Sequence, residues 1–218
     1  MKRRSFLNGL PLMGAAALGL SVSAAWAADE APDAMISRLT QEALDIIQAD
    51  KGVQAGDVGR IMELMDQKIM PHVDFQRMTA SSVGPAWRQA TPEQRTRLQA
   101  EFKTLLVRTY SGALSQAKNL TFSLKPMRSS PEDKEVIVRT LIKGRGDPVQ
   151  LDYRLEKTPG QGAGWKIYNL NVLGVWLVDT YRSQFSQEIN AKGIDGLISV
   201  LAERNKANAA GDVKAAKG

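Results

Sequence analysis

Cysteine is absent from the 218 residues of this chain, and histidine occurs once, at His72. Without cysteine the fold contains no disulfide, no thiol nucleophile and no cysteine-held metal. A single histidine excludes most catalytic and metal-binding constellations, and no Gly-x-Ser-x-Gly elbow is present to hold a nucleophilic serine. We therefore interpret His72 as a helix-end residue beside Pro71, not as a catalytic group or a metal ligand.

Long hydrophobic runs are missing too, apart from one near the start of the chain. Residues 10–22 are apolar, but Pro11 interrupts them and they are shorter than the roughly 20 residues of a spanning helix. Basic residues at 2–4 precede this run and an Ala-Trp-Ala stretch at 25–27 follows it, which is the pattern of a cleaved signal peptide over residues 1–27. The arginine pair also resembles a twin-arginine signal, so the Sec and twin-arginine export routes both stay open.

Half of the net positive charge belongs to that segment. The whole chain carries a formal net charge of +6, and residues 1–27 contain three cations and no anion, which leaves +3 on the remaining 191 residues. So small a charge on a chain of this length does not favour a nucleic-acid partner.

Apolar residues spaced by three and four predict helices in the first part of the mature chain. Asp33 is the predicted cap of the first helix, and a second helix begins near Val58 and ends at Pro71. Asp74 is the predicted cap of a short third helix. A capping box at residues 91–94 (TPEQ) starts a fourth helix. The threonine hydroxyl can accept a hydrogen bond from the glutamine N–H, and the glutamine side chain can accept one from the threonine N–H. The proline suits the first helical position.

After residue 119 the spacing of the apolar residues becomes two, and turn-forming residues separate the alternating segments. This pattern predicts an antiparallel meander with strands near residues 120–125, 136–142, 149–156 and 165–173. One face of such a meander is apolar and the other is exposed to solvent. The fourth segment alternates less well, so we expect it to be covered on both faces.

Gly174 marks a return to a helical pattern, which ends near Gly193 and is followed by a short last helix. The predicted fold class is α+β, a single domain over residues 28–205. In it, N- and C-terminal helices pack on one face of a curved four-stranded antiparallel sheet. The remaining residues, 206–218, lack an apolar stripe and are predicted to form a flexible tail.

A carboxylate buried in an apolar pocket of such a fold could serve an isomerase or hydrolase, because burial raises the pKa of an acid. The three candidates have simpler explanations. Asp74 is placed as a helix cap, Asp152 falls on the wet face of its strand, and Asp179 lies at the edge of a helical stripe. None of them is isolated in an apolar setting, so an enzyme of this kind stays an alternative.

Large apolar side chains are the distinctive remaining feature. Met62, Met65, Met70 and Met78 come from the helical part, and methionine makes adaptable walls for flexible apolar ligands as well as ordinary core. Three hypotheses follow: a carrier of an apolar ligand, a small-molecule enzyme on a similar cone-shaped fold, and a structural interaction module with a filled core.

Three stretches carry a family resemblance: residues 71–79 (PHVDFQRMT), 87–94 (WRQATPEQ) and 102–110 (FKTLLVRTY). Together with further matches in the C-terminal half, they resemble the MlaC, or toluene-tolerance auxiliary, family of periplasmic phospholipid-binding proteins. The resemblance extends over roughly residues 33–205. Trp176 and Thr180 depart from the family pattern.

The resemblance implies a monomeric periplasmic shuttle that is not an enzyme, has no cofactor and binds glycerophospholipid as its ligand. It would carry that lipid between an outer-membrane lipoprotein–porin complex and an inner-membrane ABC transporter whose ring protein is of the MCE type. This intermembrane transport would maintain the lipid asymmetry of the outer membrane. No nucleic acid is implied.

The resemblance also implies that the acyl chains lie in a pocket between sheet and helices, with the head group near solvent. The predicted pocket residues are Phe75, Met78, Trp87, Phe102, Leu105, Leu106, Tyr110, Phe122, Val138, Leu151, Tyr153, Trp176, Val178 and Tyr181. The predicted contacts with the head group or with partner proteins are Arg77, Arg88, Arg139, Lys143 and Arg182, because cations suit phosphate.

Overall fold

A computed structural model describes residues 30–115, 119–130, 132–144 and 146–215 of the chain. The signal peptide predicted for residues 1–27 lies outside the described residues. The helices are α1 (Pro32–Ala49), α2 (Lys51–Gln54), α3 (Val58–Leu64), α4 (Phe75–Val83), α5 (Pro92–Ser115) and α6 (Leu177–Ala215). A π-helical segment (Met65–Ile69) and a 3-10 turn (Met70–His72) join α3 to α4, and a second 3-10 turn (Gly84–Arg88) precedes α5.

Side-chain caps start several of these helices. Asp74 accepts a hydrogen bond from the Arg77 backbone N–H at 2.7 Å, so its predicted role as a cap is confirmed. The capping box is confirmed as well: the Thr91 hydroxyl accepts from the Gln94 N–H at 3.2 Å, and the Gln94 side chain accepts from the Thr91 N–H at 3.0 Å. The prediction for Asp33 is wrong, because Pro32 is already helical and Asp33 lies in the first turn.

The sheet is antiparallel throughout, in the order β1 (Thr121–Leu124), β2 (Glu135–Lys143), β3 (Val149–Lys157), β4 (Trp165–Val172) and β5 (Val175–Trp176). The α+β class and the four-stranded meander are confirmed. The two-residue β5 was not predicted; it pairs with the end of β4 where we expected the return to helix.

A β-bulge explains the poor alternation of β4. Arg154 pairs with Asn169 but Leu155 pairs with Ile167, so Tyr168 is the extra residue. Past the bulge, Leu170 lies on the same face as Ile167 although the two are three residues apart. The sequence pattern shows only a break in alternation at this point.

Two asparagines of β4 shape the chain that follows it. Asn169 is 2% exposed, and its side-chain oxygen accepts from the Val178 N–H at 3.2 Å, at the start of α6. The Asn171 oxygen accepts from the Gly174 N–H at 2.8 Å, in the tight turn between β4 and β5. Both polar side chains can be buried because their oxygens accept hydrogen bonds from backbone N–H groups.

α6 consists of two helical parts. Gly193 has φ +71°, which breaks the helix where the sequence predicted its end. Midway along the second part, the Asn205 amide donates to the backbone carbonyl and carboxylate of Glu101 on α5. Helix continues through Ala215, so residues 206–215 of the predicted tail are helical. None of the helices in the described ranges combines the length and hydrophobicity of a bilayer-spanning segment.

Candidate functional site

The apolar face of the sheet, called the inner face here, has two halves that differ in cover. The covered half consists of Val136, Val138, Leu155 and Ile167, which are all buried and pack against Met35, Ile36 and Leu39 from the first half of α1. The open half consists of Phe122, Ile142, Val149 and Leu151.

Residues of the open half share the same face and neighbour one another. Ile142 pairs with Phe122 on one side and with Val149 on the other, and Leu151 pairs with Val172. All of them are only half-buried, although their side chains are as apolar as those of the covered half. Apolar surface that a folded domain leaves partly uncovered on its inner face is the usual wall of a site for an apolar ligand.

On the helical side, α4, α5 and α6 form one hydrophobic cluster. Its centre is Phe102, which is 0% exposed and whose ring centroid lies 4.9 Å from that of Tyr181 and 5.1 Å from that of Phe185. Leu170 and Val172 of β4 pack against this helical cluster, so sheet and helices meet at that strand.

The predicted pocket residues other than Trp176 are distributed over four places. Core positions of the helical cluster are held by Met78, Phe102, Leu105, Val178 and Tyr181, and its half-buried margin by Phe75, Trp87, Leu106 and Tyr110. Of the sheet residues, Phe122 and Leu151 belong to the open half, while Val138 is in the covered half with Tyr153 packed against it. Sequence periodicity identified the apolar positions but did not separate core from margin.

Trp176 lies on the outer face of the sheet. It pairs with Asn171, which in turn pairs with Asp152, so all three share one face. The Trp176 ring stacks under the guanidinium of Arg154, whose central carbon is 4.0 Å from the ring centroid. This position is separate from the other predicted pocket residues.

Tyr153 marks the boundary between the two halves. Its hydroxyl lies close to Thr140 on β2 and Thr40 on α1, and burial raises the pKa of the Tyr153 hydroxyl. The Thr140 hydroxyl donates to the Leu151 carbonyl at 3.3 Å. Thr140 and Thr40 are 0% and 8% exposed. Nothing in the sequence pattern distinguishes these threonines, since each lies within an apolar stripe and only the fold brings them to the tyrosine.

Arg77, a predicted head-group contact, is engaged within the protein. Its guanidinium donates to Glu135 at 2.6 Å and to Glu156, and it lies 3.7 Å from the centroid of the Tyr168 ring. The hydrogen bond from Arg77 lowers the pKa of the Glu135 carboxyl. Two carboxylates thus already compensate this cation, which makes it less suited to a phosphate.

The other predicted cations lie on two separate parts of the molecule. Arg139 and Lys143 are exposed on β2, and the Arg139 Nε is 3.9 Å from the Asp152 carboxylate. Arg88 and Arg182 are also exposed. Arg88 ends the 3-10 turn before α5, and Arg182 belongs to α6. Helices α5 and α6 pack against each other. These cations remain predicted head-group or partner contacts.

The prediction that Asp152 lies on a wet face is wrong. Asp152 is 7% exposed, and the Gln150 amide donates to both of its oxygens at 3.1 Å. The outer face is less open here than the alternation implied, because β5 extends the sheet beside β4 and the long side chains of Gln150 and Arg139 lie close to the carboxylate.

His72 lies at the end of the 3-10 turn before α4, as expected for a helix-end residue. Partial burial lowers the pKa of the His72 imidazole, and the nearby charges of Arg38 and Lys166 lower it further. Within the described parts of the chain, no group of three or more histidine, aspartate or glutamate side chains is placed to hold a metal ion.

Comparisons with known proteins agree with this architecture. The family model described as MlaC protein matches residues 37–203. The toluene tolerance protein ttg2D of Pseudomonas putida is 25% identical over 169 residues, which are 77% of each chain. The intermembrane phospholipid transport system binding protein MlaC of Haemophilus influenzae is 20% identical over 176 residues, 80% of this chain and 82% of that one.

A solved structure is similar over most of its length. The phospholipid-binding protein of Ralstonia solanacearum, determined in complex with a phospholipid, superposes with a TM-score of 0.77 and is 42% identical. The match covers 81% of this chain and 98% of that protein.

Proposed function

This chain belongs to the MlaC family, and from that membership we propose that it is a periplasmic phospholipid-binding shuttle. It serves an ABC-type intermembrane transport system that maintains the lipid asymmetry of the outer membrane. Its partners are an outer-membrane lipoprotein–porin complex and an inner-membrane ABC transporter with an MCE-type ring protein. The protein acts as a monomer and carries out no catalysis.

One observation carries the proposal: the half-buried apolar surface of the open half of the sheet. The protein of Ralstonia solanacearum, which shares this fold at 42% identity, was determined with a phospholipid bound. We place the acyl chains of the lipid against Phe122, Ile142 and Leu151, opposite the half-buried margin of the helical cluster.

The energetics of lipid transfer explain why such a protein is needed. At about 0.8 kcal/mol per CH₂, exposing the acyl tails of one phospholipid to water costs on the order of 20 kcal/mol of free energy. A carrier offsets this cost by covering the tails with its own apolar surface. The head group can stay near solvent, where an exposed cation such as Arg182 is available.

Native mass spectrometry of the mature protein, purified without detergent from a bacterial host, tests the proposal. We expect a mass increment of one phospholipid that is released only on denaturation, and organic extraction identifies it. A bare polypeptide mass together with an empty lipid extract would contradict the proposal.

A pair of leucine variants locates the lipid. Leu151 and Leu141 are both half-buried, on neighbouring strands, but Leu151 belongs to the inner face and Leu141 to the outer face. We expect Leu151→Glu to abolish lipid retention in a folded protein, because a carboxylate would replace apolar wall, and Leu141→Glu to retain lipid. Equal retention by both folded variants would contradict the placement of the acyl chains.

A further inference from the structure

A small apolar cavity, half open to the surface, lies away from the sheet between α1, α2, α3 and the π-helical segment. Its volume is about 90 Å³, and every side chain that lines it is aliphatic or a thioether. The residues that matter here are Ala43, Ile46 and Ile47 of α1, Ile61 of α3, and Met65.

The cavity lies on the same apolar stripe of α1 that covers the sheet. Met35, Ile36 and Leu39 of that stripe pack on the covered half, and Thr40 reaches Tyr153 at the boundary with the open half. One turn further along α1, Ala43 and Ile47 line the cavity, because residues three and four apart share a helix face. The same face of α1 therefore joins the boundary of the open half to the cavity.

The wall opposite α1 is irregular. The π-helical segment Met65–Ile69 contains no fully buried residue, and Met65 at its start contributes a flexible side chain to the cavity. By contrast, the cavity floor includes the buried residues Ile47, Val53 and Ile61. One wall can thus adjust to an occupant while the other is firmly packed.

We propose that this cavity receives the terminal methylene groups of one acyl chain and makes lipid binding depend on chain length. The inference rests on the proposed function, since it assigns a binding site to the end of an acyl chain of the lipid. A methylene group takes up roughly the 30 Å³ that a water molecule does in the liquid, so about 90 Å³ accommodates about three of them. Each methylene buried there changes affinity about four-fold.

Filling the cavity tests the inference. Ala43→Leu adds a side chain to the cavity wall, and Ala34→Leu makes the same change at an exposed position of the same helix. Each protein is incubated with vesicles of equal parts dimyristoyl and dipalmitoyl phosphatidylglycerol, and the ratio of the two bound lipids is read by native mass spectrometry. We expect Ala43→Leu to lower the ratio of longer to shorter lipid roughly ten-fold relative to the wild type, and Ala34→Leu to leave it unchanged.

An unchanged ratio in folded Ala43→Leu overturns the inference while leaving the proposed function standing. Should Ala43→Leu not fold, Ile46→Ala enlarges the same cavity and is expected to raise the ratio; an unchanged ratio there overturns the inference equally. Failure of the wild type itself to take up either lipid overturns the proposed function, and the inference with it.

Discussion

The covered and open halves of the inner face are built from the same kinds of side chain but differ in what lies above them. In the covered half, Val138 and Leu155 are 0% exposed because the first half of α1 packs on them. In the open half, Ile142 and Leu151 have equally apolar side chains and remain half-buried. A sheet face covered by its own chain contributes to stability, whereas a face left partly uncovered is available to a ligand.

The largest effect is expected from a charge in the covered half. Val138→Asp places an unpaired carboxylate where no water reaches, so we expect the free energy of unfolding to fall by more than about 4 kcal/mol and the protein to lose its fold. Circular dichroism and urea unfolding measure this. A cooperatively folded Val138→Asp variant would show that α1 can leave the sheet, and would contradict the division into two halves.

Truncating two leucines of one strand compares the halves directly. Leu151 and Leu155 are on the same face of β3, four residues apart, and only Leu155 is fully buried. We expect Leu155→Ala to cost about 3 kcal/mol of unfolding free energy and Leu151→Ala about 1 kcal/mol, because the cost follows the buried volume that is lost. Lipid retention should show the opposite order. Equal stability losses would mean that the open half is ordinary core.

The ion pairs of Arg77, on the outer face of the sheet opposite the covered half, are expected to contribute less to the free energy of unfolding. Glu135 and Glu156 flank Val136 and Leu155 in sequence, and Arg77 joins both carboxylates on the outer face. We expect Arg77→Ala to lower the unfolding free energy at neutral pH by about 1–2 kcal/mol, since the pairs are only partly buried.

The effect of Arg77→Ala should depend on pH. Because the pKa of the Glu135 carboxyl is lowered in the folded state, its contribution is present above the unfolded pKa and is lost as pH falls through the folded pKa. Burial raises the pKa of Glu156, which contributes with the opposite sign. Urea unfolding at neutral pH and below pH 4.5 measures the difference, and a loss that does not shrink in acid would contradict the role of Glu135.

Tyr153→Phe should have the smallest effect, at the boundary of the halves. The variant removes a hydroxyl that lies close to Thr40 and Thr140, and its loss should cost about 1 kcal/mol. Thermal unfolding measures the loss. A stability equal to that of the wild type would show that water replaces the hydroxyl, and hence that the boundary is open to solvent.

Local patterns predicted much of the fold. The cap at Asp74 and the capping box at Thr91 depend on neighbouring residues only, and both are present. The missed features depend on residues far apart in sequence: the bulge in β4 is defined by its register against Arg154 and Leu155, and the burial of Asp152 arises beside a strand that the alternation did not reveal. Alternation gives the face of a side chain, but a bulge changes the face without changing the composition.

The same limit applies to the candidate site. Helical spacing identified Phe102 and Leu106 as neighbours on one apolar stripe, yet the first is the centre of a core and the second lies at its margin. The apolar cavity along α1 has no counterpart in the pattern, because Ala43 and Ile46 look like any other core positions of an amphipathic helix.

The sequence by itself determined which face of each helix and strand is apolar, because side-chain direction follows the local period of the backbone. It also determined the family, through short stretches that keep their order along the chain. Only the tertiary structure decided what covers each apolar face: α1 covers Val138 and leaves Leu151 half-buried, although the two alternate in the same way. That distinction depends on the path of a helix about a hundred residues earlier in the chain, and packing between such distant segments is not encoded in any local period.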